Sequence, residues 1–404
     1  MEPRRPYAGR RVILGVTGGI ASYKAAWLAR LLTLAGAEVD VVMTRSALEF
    51  VGAVTFEALT GRPVYTALIA AGHALDHVKL AKAADAVVVA PATADFLARA
   101  AHGHADDLLA AVLLATRAPV LLVPAMNDAM WAHPQTGRNV AHLRQIGYRV
   151  VKPDEGMLAA GEGSGPGRMP EPETILAHAG RLLEPADGLA GRRVVVTAGP
   201  TREAVDPVRF LSNRSSGKMG VALAAAAWRR GAEVRLIAGP LAASPPPGVD
   251  LRQVETTDDM ADAVRAALAD ADVLIMAAAP ADFRPAEQAP NKIKKEAGPP
   301  ALSLVSTRDI LQTTRDARRP GTVVVGFALE TERAVEAARA KLAAKGLDLV
   351  VANDATETGA GFAVDTNRVT IVGPDGRTEP LPLMSKDAVA DAILDRVEEL
   401  VRGR

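Results

Sequence analysis

The chain has 404 residues, 49% apolar and 23% charged, which is material for two cores of about 200 residues each. Its 47 Lys and Arg balance 47 Asp and Glu, so it lacks the basic surplus that nucleic acid or an anionic membrane selects. Cysteine is absent, which excludes disulfides, thiolate metal sites and a cysteine nucleophile.

No apolar run approaches the roughly 20 residues of a spanning helix. The start, MEPRRPYAGRR, leads into a strand-like run rather than a signal peptide, so a cytoplasmic protein with no membrane association is expected. Short β-branched runs then alternate with helical patterns: RVILGV, a helix from about Ile20 to Leu34, EVDVVM, DAVVVAP, PVLLVP and YRVV. After the Pro/Gly stretch EPADGLAG (184–191) the alternation restarts with RVVVTA and a helix from about Gly217 to Arg230. EVRLIAG, DVLIMAA, TVVVGFA, LDLVVAN and RVTIV follow. Near-continuous apolar strands separated by helices predict parallel sheets covered on both faces. Two Rossmann-like α/β domains are therefore expected, 1–187 and 188–404. Ligands in such sheets sit beyond the carboxyl ends of the strands, so functional residues are sought just after each strand.

The first strand runs into VTGGIASYK (16–24), which lacks GxGxxG. Its paired glycines suit either an anion at a helix start or only a tight turn with positive φ. MTRSA (43–47), APATADFLAR (90–99) and PAMNDAMW (124–131) follow later strands. Asn127 is an amide among Met126, Met130 and Trp131, and a ligand carboxylate would satisfy its NH₂ group. His77 in DHVKLA is either a proton-transfer group or an ordinary helix-start histidine. His102 and His104 form an H-x-H pair without carboxylate or thiolate partners at ligand spacing, which reads as a solvated loop rather than a metal site.

VTGGIASYKA, HVKLAKAADAVVVAPATADFLARAAHGHADDLLAA and VPAMNDAMW resemble the homo-oligomeric flavin-containing cysteine decarboxylases over nearly the whole first half. The resemblance implies a flavodoxin-like FMN domain, with Gly18, Gly19, Ile20, Ser22, Thr44, Ala92, Thr93 and Met126 at the flavin. Asp95 stands where the family usually has Asn. His77 is implied as a base near the substrate and Asn127 as the group holding its carboxylate. The loop GMLAAGEGSGPGRM (156–169) resembles the family's flap but lacks its proton-donating cysteine. Ala160 or Gly161 stands there, depending on the side from which the loop is matched. Ser164, Glu162 or water is left to supply the proton, Glu162 being the better acid at neutral pH. The glycines and Arg168 retain the makings of a closing flap.

In the second half, Asn213, Arg214, Ser215, Ser216, Gly217 and Lys218 open an Ala-rich helix. Capping explains the serines, but the cations and the amide favour an anion site. MAAAPADFRP (276–285), APNKIKKEAG (289–298) and the pair Lys341 and Lys345, one helical turn apart, add small residues and cations beyond strand ends. Such cations suit a triphosphate, although no Walker A sequence is present.

DPVRFLSNRSSGKMG, AAAPADFRP, NKIKK, GFALET, VANDA and the D-T-N at 365–367 resemble the phosphopantothenate–cysteine ligases. A ligase behind a flavin decarboxylase is the order of a bacterial bifunctional family of coenzyme A biosynthesis. The resemblance implies CTP and Mg²⁺, with the metal ligands unassigned. It implies nucleotide contacts at Met276, Ala277, Ala278, Asp282, Lys292, Phe327, Lys341 and Lys345. Asn213 is implied to orient the pantothenate carboxylate or the acyl-cytidylate, and Lys292 to assist turnover of that intermediate. The partners would be 4′-phosphopantothenate, L-cysteine and CTP, and the joined product would be decarboxylated to 4′-phosphopantetheine. A homo-oligomer of flavin-domain trimers joined by ligase-domain dimers is implied. Two alternatives stand beside this reading. One is an active ligase whose front domain binds FMN without completing decarboxylation. The other is a two-domain NAD(P)-binding reductase, against which the missing GxGxxG counts.

Overall fold

The computed structural model describes residues 5–69, 72, 74–184, 188–294, 301–330, 333–354, 361 and 364–404. Several positions read from the sequence lie outside these residues, among them residue 187, Lys295, Thr331, Ala355, Phe362 and Ala363. The chain divides into two compact units, Met1–Pro185 and Ala186–Arg404.

The front unit holds a six-stranded sheet in the order Val64–Tyr65, Glu38–Met43, Arg11–Val16, Ala86–Ala92, Val120–Pro124, Arg149–Val150. Every pairing is parallel. Successive residues of a strand point to opposite faces, and both faces are covered. Val12, Leu14 and Val16 pack into one apolar layer with Leu28 and Leu32 of the helix Ser22–Leu34. Ile13, Val87 and Val89 pack into the other with Leu97, Leu109 and Val112. This explains why the strands read as continuous apolar runs rather than as alternations.

The back unit holds eight strands in the order Asp250–Gln253, Glu233–Ala238, Arg193–Ala198, Val273–Met276, Val323–Glu330, Leu349–Asp354, Val369–Val372, Thr378–Pro380. The first six run parallel. The last two are antiparallel, which departs from the all-parallel expectation. The cause is local. Between them runs GPDG, whose Gly376 has a φ of 75° and whose Gly373 N–H donates to the Arg377 carbonyl. A tight turn of that kind joins neighbouring antiparallel strands, whereas a parallel partner needs a long crossover. Among the described residues no helix is long and apolar enough to cross a membrane.

One half-buried group should make the front unit acid-sensitive. His178, on the helix Pro172–Leu183, is pushed down to about 4 by burial, with the charges of Arg181 and Arg149 adding to the effect. The unfolded chain, at about 6.5, then binds more protons than the fold throughout the window from 6.5 to 4. Stability is fully present above that window and falls as pH drops through it, by up to about 3 kcal/mol. His178→Phe should flatten this slope in urea melts recorded at pH 7, 6 and 5.

Candidate functional site

At the carboxyl ends of the front strands lies a cavity of about 660 Å³. Gly18, Gly19, Ile20, Thr93, Asp95, Met126 and Asn127 line it. Neither Gly18 nor Gly19 has positive φ, so the tight-turn reading of their role does not hold. Gly18 is required by space instead. A Cβ there would lie 2.4 Å from both Cβ and Oγ of Ser46. The glycine lets its turn pack against the turn holding Ser46, and the cavity volume falls in the ligand-pocket range.

Ser22, Thr44 and Ala92 do not line the cavity. The Ser22 hydroxyl donates to the Thr17 and Gly19 carbonyls at 3.0 and 2.6 Å. Thr44 Oγ1 sits 3.2 Å from Ser46 Oγ, and Ala92 is wholly buried. Thr93 caps the helix Ala94–Ala101, its hydroxyl accepting from the Phe96 N–H at 3.3 Å. Thr17 bonds to this segment as well, accepting from the Thr93 N–H at 3.1 Å and donating to the Pro91 carbonyl at 2.8 Å.

Asn127 caps the short helix Asp128–Ala132, its Oδ1 accepting from the Ala129 N–H at 2.9 Å. The cap orients the amide, leaving NH₂ as the end available to a carboxylate. His77 begins the helix Asp76–Ala83 and is not a lining residue. Its Nδ1 is buried without a hydrogen-bond partner. His102 is exposed, with Nδ1 2.8 Å from the Ala98 carbonyl. Among the described residues no three His, Cys, Asp or Glu are grouped to hold a metal ion.

The glycine-rich stretch is a hairpin, Asp154–Met157 paired antiparallel with Ser164–Arg168. The sequence reading made it a loop, because glycines hide the alternation that marks strands. Its return strand is bonded to the cavity wall, the Met126 N–H donating to the Gly167 carbonyl at 3.0 Å. The flap contributes Met157, Leu158, Ala159, Glu162 and Arg168 to the lining, but not Ser164, Ala160 or Gly161. Lys24 was missed in the sequence. Its buried ammonium donates to the Met169 carbonyl and the Glu171 carboxylate, both at 3.0 Å, tying the first helix to the foot of the flap. Arg168 reaches the same carboxylate oxygen at 2.5 Å.

In the back unit a second opening of about 200 Å³ lies beyond Val273–Met276 and Val323–Glu330. Met276, Ala278, Asp282, Phe327, Lys341 and Lys345 line it; Ala277 and Lys292 do not. Ligand pockets usually begin near 300 Å³, so a nucleotide would overhang the rim. Lys341 donates to the Phe327 carbonyl at 2.6 Å, and Lys345 pairs with Asp309 at 2.9 Å. Burial raises the Asp309 carboxyl, but the Lys345 hydrogen bond, an N–H bond from Gln312 and the charges of Lys345 and Lys341 outweigh it and hold it below the usual range. Arg308 and Asp309 also line the opening and were not foreseen. Asp309 N-caps the helix Ile310–Thr313, a signal present in T-R-D-I-L.

Asn213 does not line this opening but is bonded to the segment after Val273–Met276, of which Pro280 is a lining residue, and its amide is reversed from expectation. Its Nδ2 donates to the carbonyls of Ala279 and Pro280 at 3.2 and 2.9 Å. The oxygen is then the end left for a ligand, which suits a donor such as an amine rather than a carboxylate. Lys218 pairs with Asp365 at 2.6 Å, joining the helix Lys218–Arg229 to the D-T-N segment.

Two family models divide the chain. The Flavoprotein model matches residues 1–183, and the DNA/pantothenate metabolism flavoprotein C-terminal domain matches 189–401. A protein of Mycobacterium tuberculosis (strain ATCC 25618 / H37Rv), named coenzyme A biosynthesis bifunctional protein CoaBC, is 50% identical over 409 residues, spanning 98% of this chain and 97% of its own. The chain belongs to this bifunctional family. A Bacillus subtilis (strain 168) member with the same name is 46% identical over 97% of both chains. A crystal structure of the C-terminal domain of a family member is 39% identical, covering 54% of this chain and 100% of that one at a TM-score of 0.46.

Proposed function

We propose that the chain is a bifunctional enzyme of coenzyme A biosynthesis. Its back unit joins L-cysteine to 4′-phosphopantothenate at the expense of CTP, and its front unit decarboxylates the product to 4′-phosphopantetheine with FMN. The supporting observation is the pairing of two differently built openings at the carboxyl ends of two sheets. One is a cradle around Gly18 with an oriented amide at Asn127; the other carries Lys341 and Lys345.

In ligation the pantothenate carboxylate attacks the α-phosphorus of CTP, releasing pyrophosphate, and the cysteine amine then displaces CMP. Lys341 and Lys345 neutralise the phosphates, with Mg²⁺ arriving on the triphosphate. Lys292 balances charge that leaves with CMP, and the Asn213 oxygen accepts from the incoming amine. In decarboxylation Asn127 holds the departing carboxylate through its NH₂ group, while the flap excludes water. Gly18, Gly19, Thr93 and Met126 would hold FMN, which when bound would supply reversible two-electron redox chemistry at the cysteinyl thiol arm. The proton accompanying the return of those two electrons needs an acid at the flap.

Glu162 lines the cavity where the family cysteine is missing, which favours a complete decarboxylase over a front unit that only binds FMN. In air, where dioxygen reoxidises the flavin left reduced when enethiol departs, Glu162→Gln should shift product from the saturated thiol toward the unsaturated enethiol by roughly tenfold or more, as for loss of an acid catalyst, read by mass spectrometry.

A homo-oligomer is part of this reading. Ile20 and Tyr23, which line the cavity, and Trp27 on the helix Ser22–Leu34 are 66%, 62% and 50% exposed, an apolar surface suited to a second copy. A neighbouring copy could bring His77 to a cavity that its own chain does not let it line. Release of pyrophosphate from CTP and 4′-phosphopantothenate without cysteine, together with a flavin absorbance band in the purified protein, tests both units. A colourless protein that leaves CTP intact contradicts the proposal.

A further inference from the structure

Asp206 lies in the turn between Arg202–Ala204 and Phe210–Ser212, immediately ahead of Asn213. It is 2% exposed, yet its partners are chiefly main-chain groups. Oδ1 accepts from the Val208 and Arg209 N–H groups, both at 2.8 Å. Oδ2 accepts from the Ile293 N–H at 3.2 Å, across 87 residues of sequence. The Arg209 guanidinium is 3.6 Å from Oδ2 and half exposed, so it is a weak competitor. A second tie runs parallel, the Ala289 N–H donating to the Val205 carbonyl at 3.0 Å.

One carboxylate thus closes the turn that delivers Asn213 and fixes the backbone beside Lys292. Lys292 is exposed on a stretch with neither helix nor strand, so little else restrains it. We propose that Asp206 is a positioning residue of the ligase, holding the Lys292 segment in register with Asn213 through the Ile293 N–H. The inference rests on the role given above to Lys292. A buried carboxylate with two oxygens can serve two backbone segments at once, which an amide cannot do, because its nitrogen would present hydrogens to the Ile293 N–H.

Asp206→Asn makes that change and little else, since its Oδ1 keeps the turn. Displacement of about 1 Å at a catalytic group can lower a rate by roughly 100-fold. The expected result is a 10- to 100-fold fall in amide formation with KM for CTP and 4′-phosphopantothenate nearly unchanged and with accumulation of the acyl-nucleotide. Combined with Lys292→Ala, the substitution should add no further loss, which a merely structural defect would not reproduce. Asp206→Ser, which can keep the turn through its hydroxyl but cannot reach Ile293, should behave alike and serves if the Asn variant fails to fold. Wild-type rates in Asp206→Asn or Asp206→Ser with an impaired Lys292→Ala overturn the proposal alone, as do losses that multiply in the double variant. A wild-type rate in Lys292→Ala overturns the reading of Lys292 and this inference with it.

Discussion

Gly18→Ala is expected to produce a protein that folds but is purified without flavin. The new methyl group would sit 2.4 Å from Ser46 Cβ and Oγ and 2.8 Å from the Ser46 carbonyl carbon. Carbon atoms in contact stay about 3.5–4.0 Å apart, so one of the two turns must move by roughly an ångström. Ser46 cannot simply swing away, because part of the clash is with its own backbone. Overpacking of this kind costs about 1–3 kcal/mol, and here the strain falls on the segment proposed to meet the cofactor phosphate. Loss of flavin affinity by about 100-fold or more should follow from strain near the top of that range. The measurement is the ratio of flavin to protein absorbance, with circular dichroism as the control for folding. Pairing the substitution with Ser46→Gly, which removes the struck side chain, should recover part of the flavin. Full flavin content in Gly18→Ala would mean that the cradle lies elsewhere.

The second large effect belongs to the two lysines. Replacing Lys341 and Lys345 together with methionine keeps the stems of the side chains and deletes both charges from the smaller opening. A hydrogen bond to a charged group contributes about 1.5–3 kcal/mol, so losing two should weaken CTP binding by roughly 100-fold or more. The Asp309 carboxylate, now unpaired, would add repulsion toward the triphosphate. Isothermal titration with CTP and Mg²⁺ reads the loss directly. The front unit should keep its flavin in the same variant, since the two sites are built from separate units. An unchanged CTP affinity would separate the lysines from the nucleotide.

Much of the fold was legible because the chain obeys one local rule repeatedly. A strand buried on both faces must be apolar along its length, and RVILGV, AVVVAPA and RVVVTA are so. The antiparallel pairing of the last back-unit strands was not read from the sequence, although the G-P-D-G between them is a turn signal. For Asn127 the sequence showed a polar amide just after an apolar strand, but not that its oxygen is committed to capping a short helix.

What stayed hidden depends on residues distant in sequence. Gly18 is needed because of Ser46, and nothing local to VTGGIASYK announces that neighbour. Lys24 reads as one more helix cation until Met169 and Glu171 are brought to it. Asn213 reads as a ligand amide until two carbonyls from residues 279 and 280 turn it round. The flap's strands were masked by their own glycines. Of the residues that motif resemblance named, some line the two openings and others do not, and that division depends on contacts distant in sequence.

The most direct single test supplies CTP, Mg²⁺, 4′-phosphopantothenate and carboxyl-labelled L-cysteine to the purified protein and counts CMP and labelled CO₂ together. One CO₂ for each CMP, with 4′-phosphopantetheine as the thiol product, is the expected result. CMP formed without CO₂ would leave a ligase carrying an inert flavin unit, and neither product would contradict both sites.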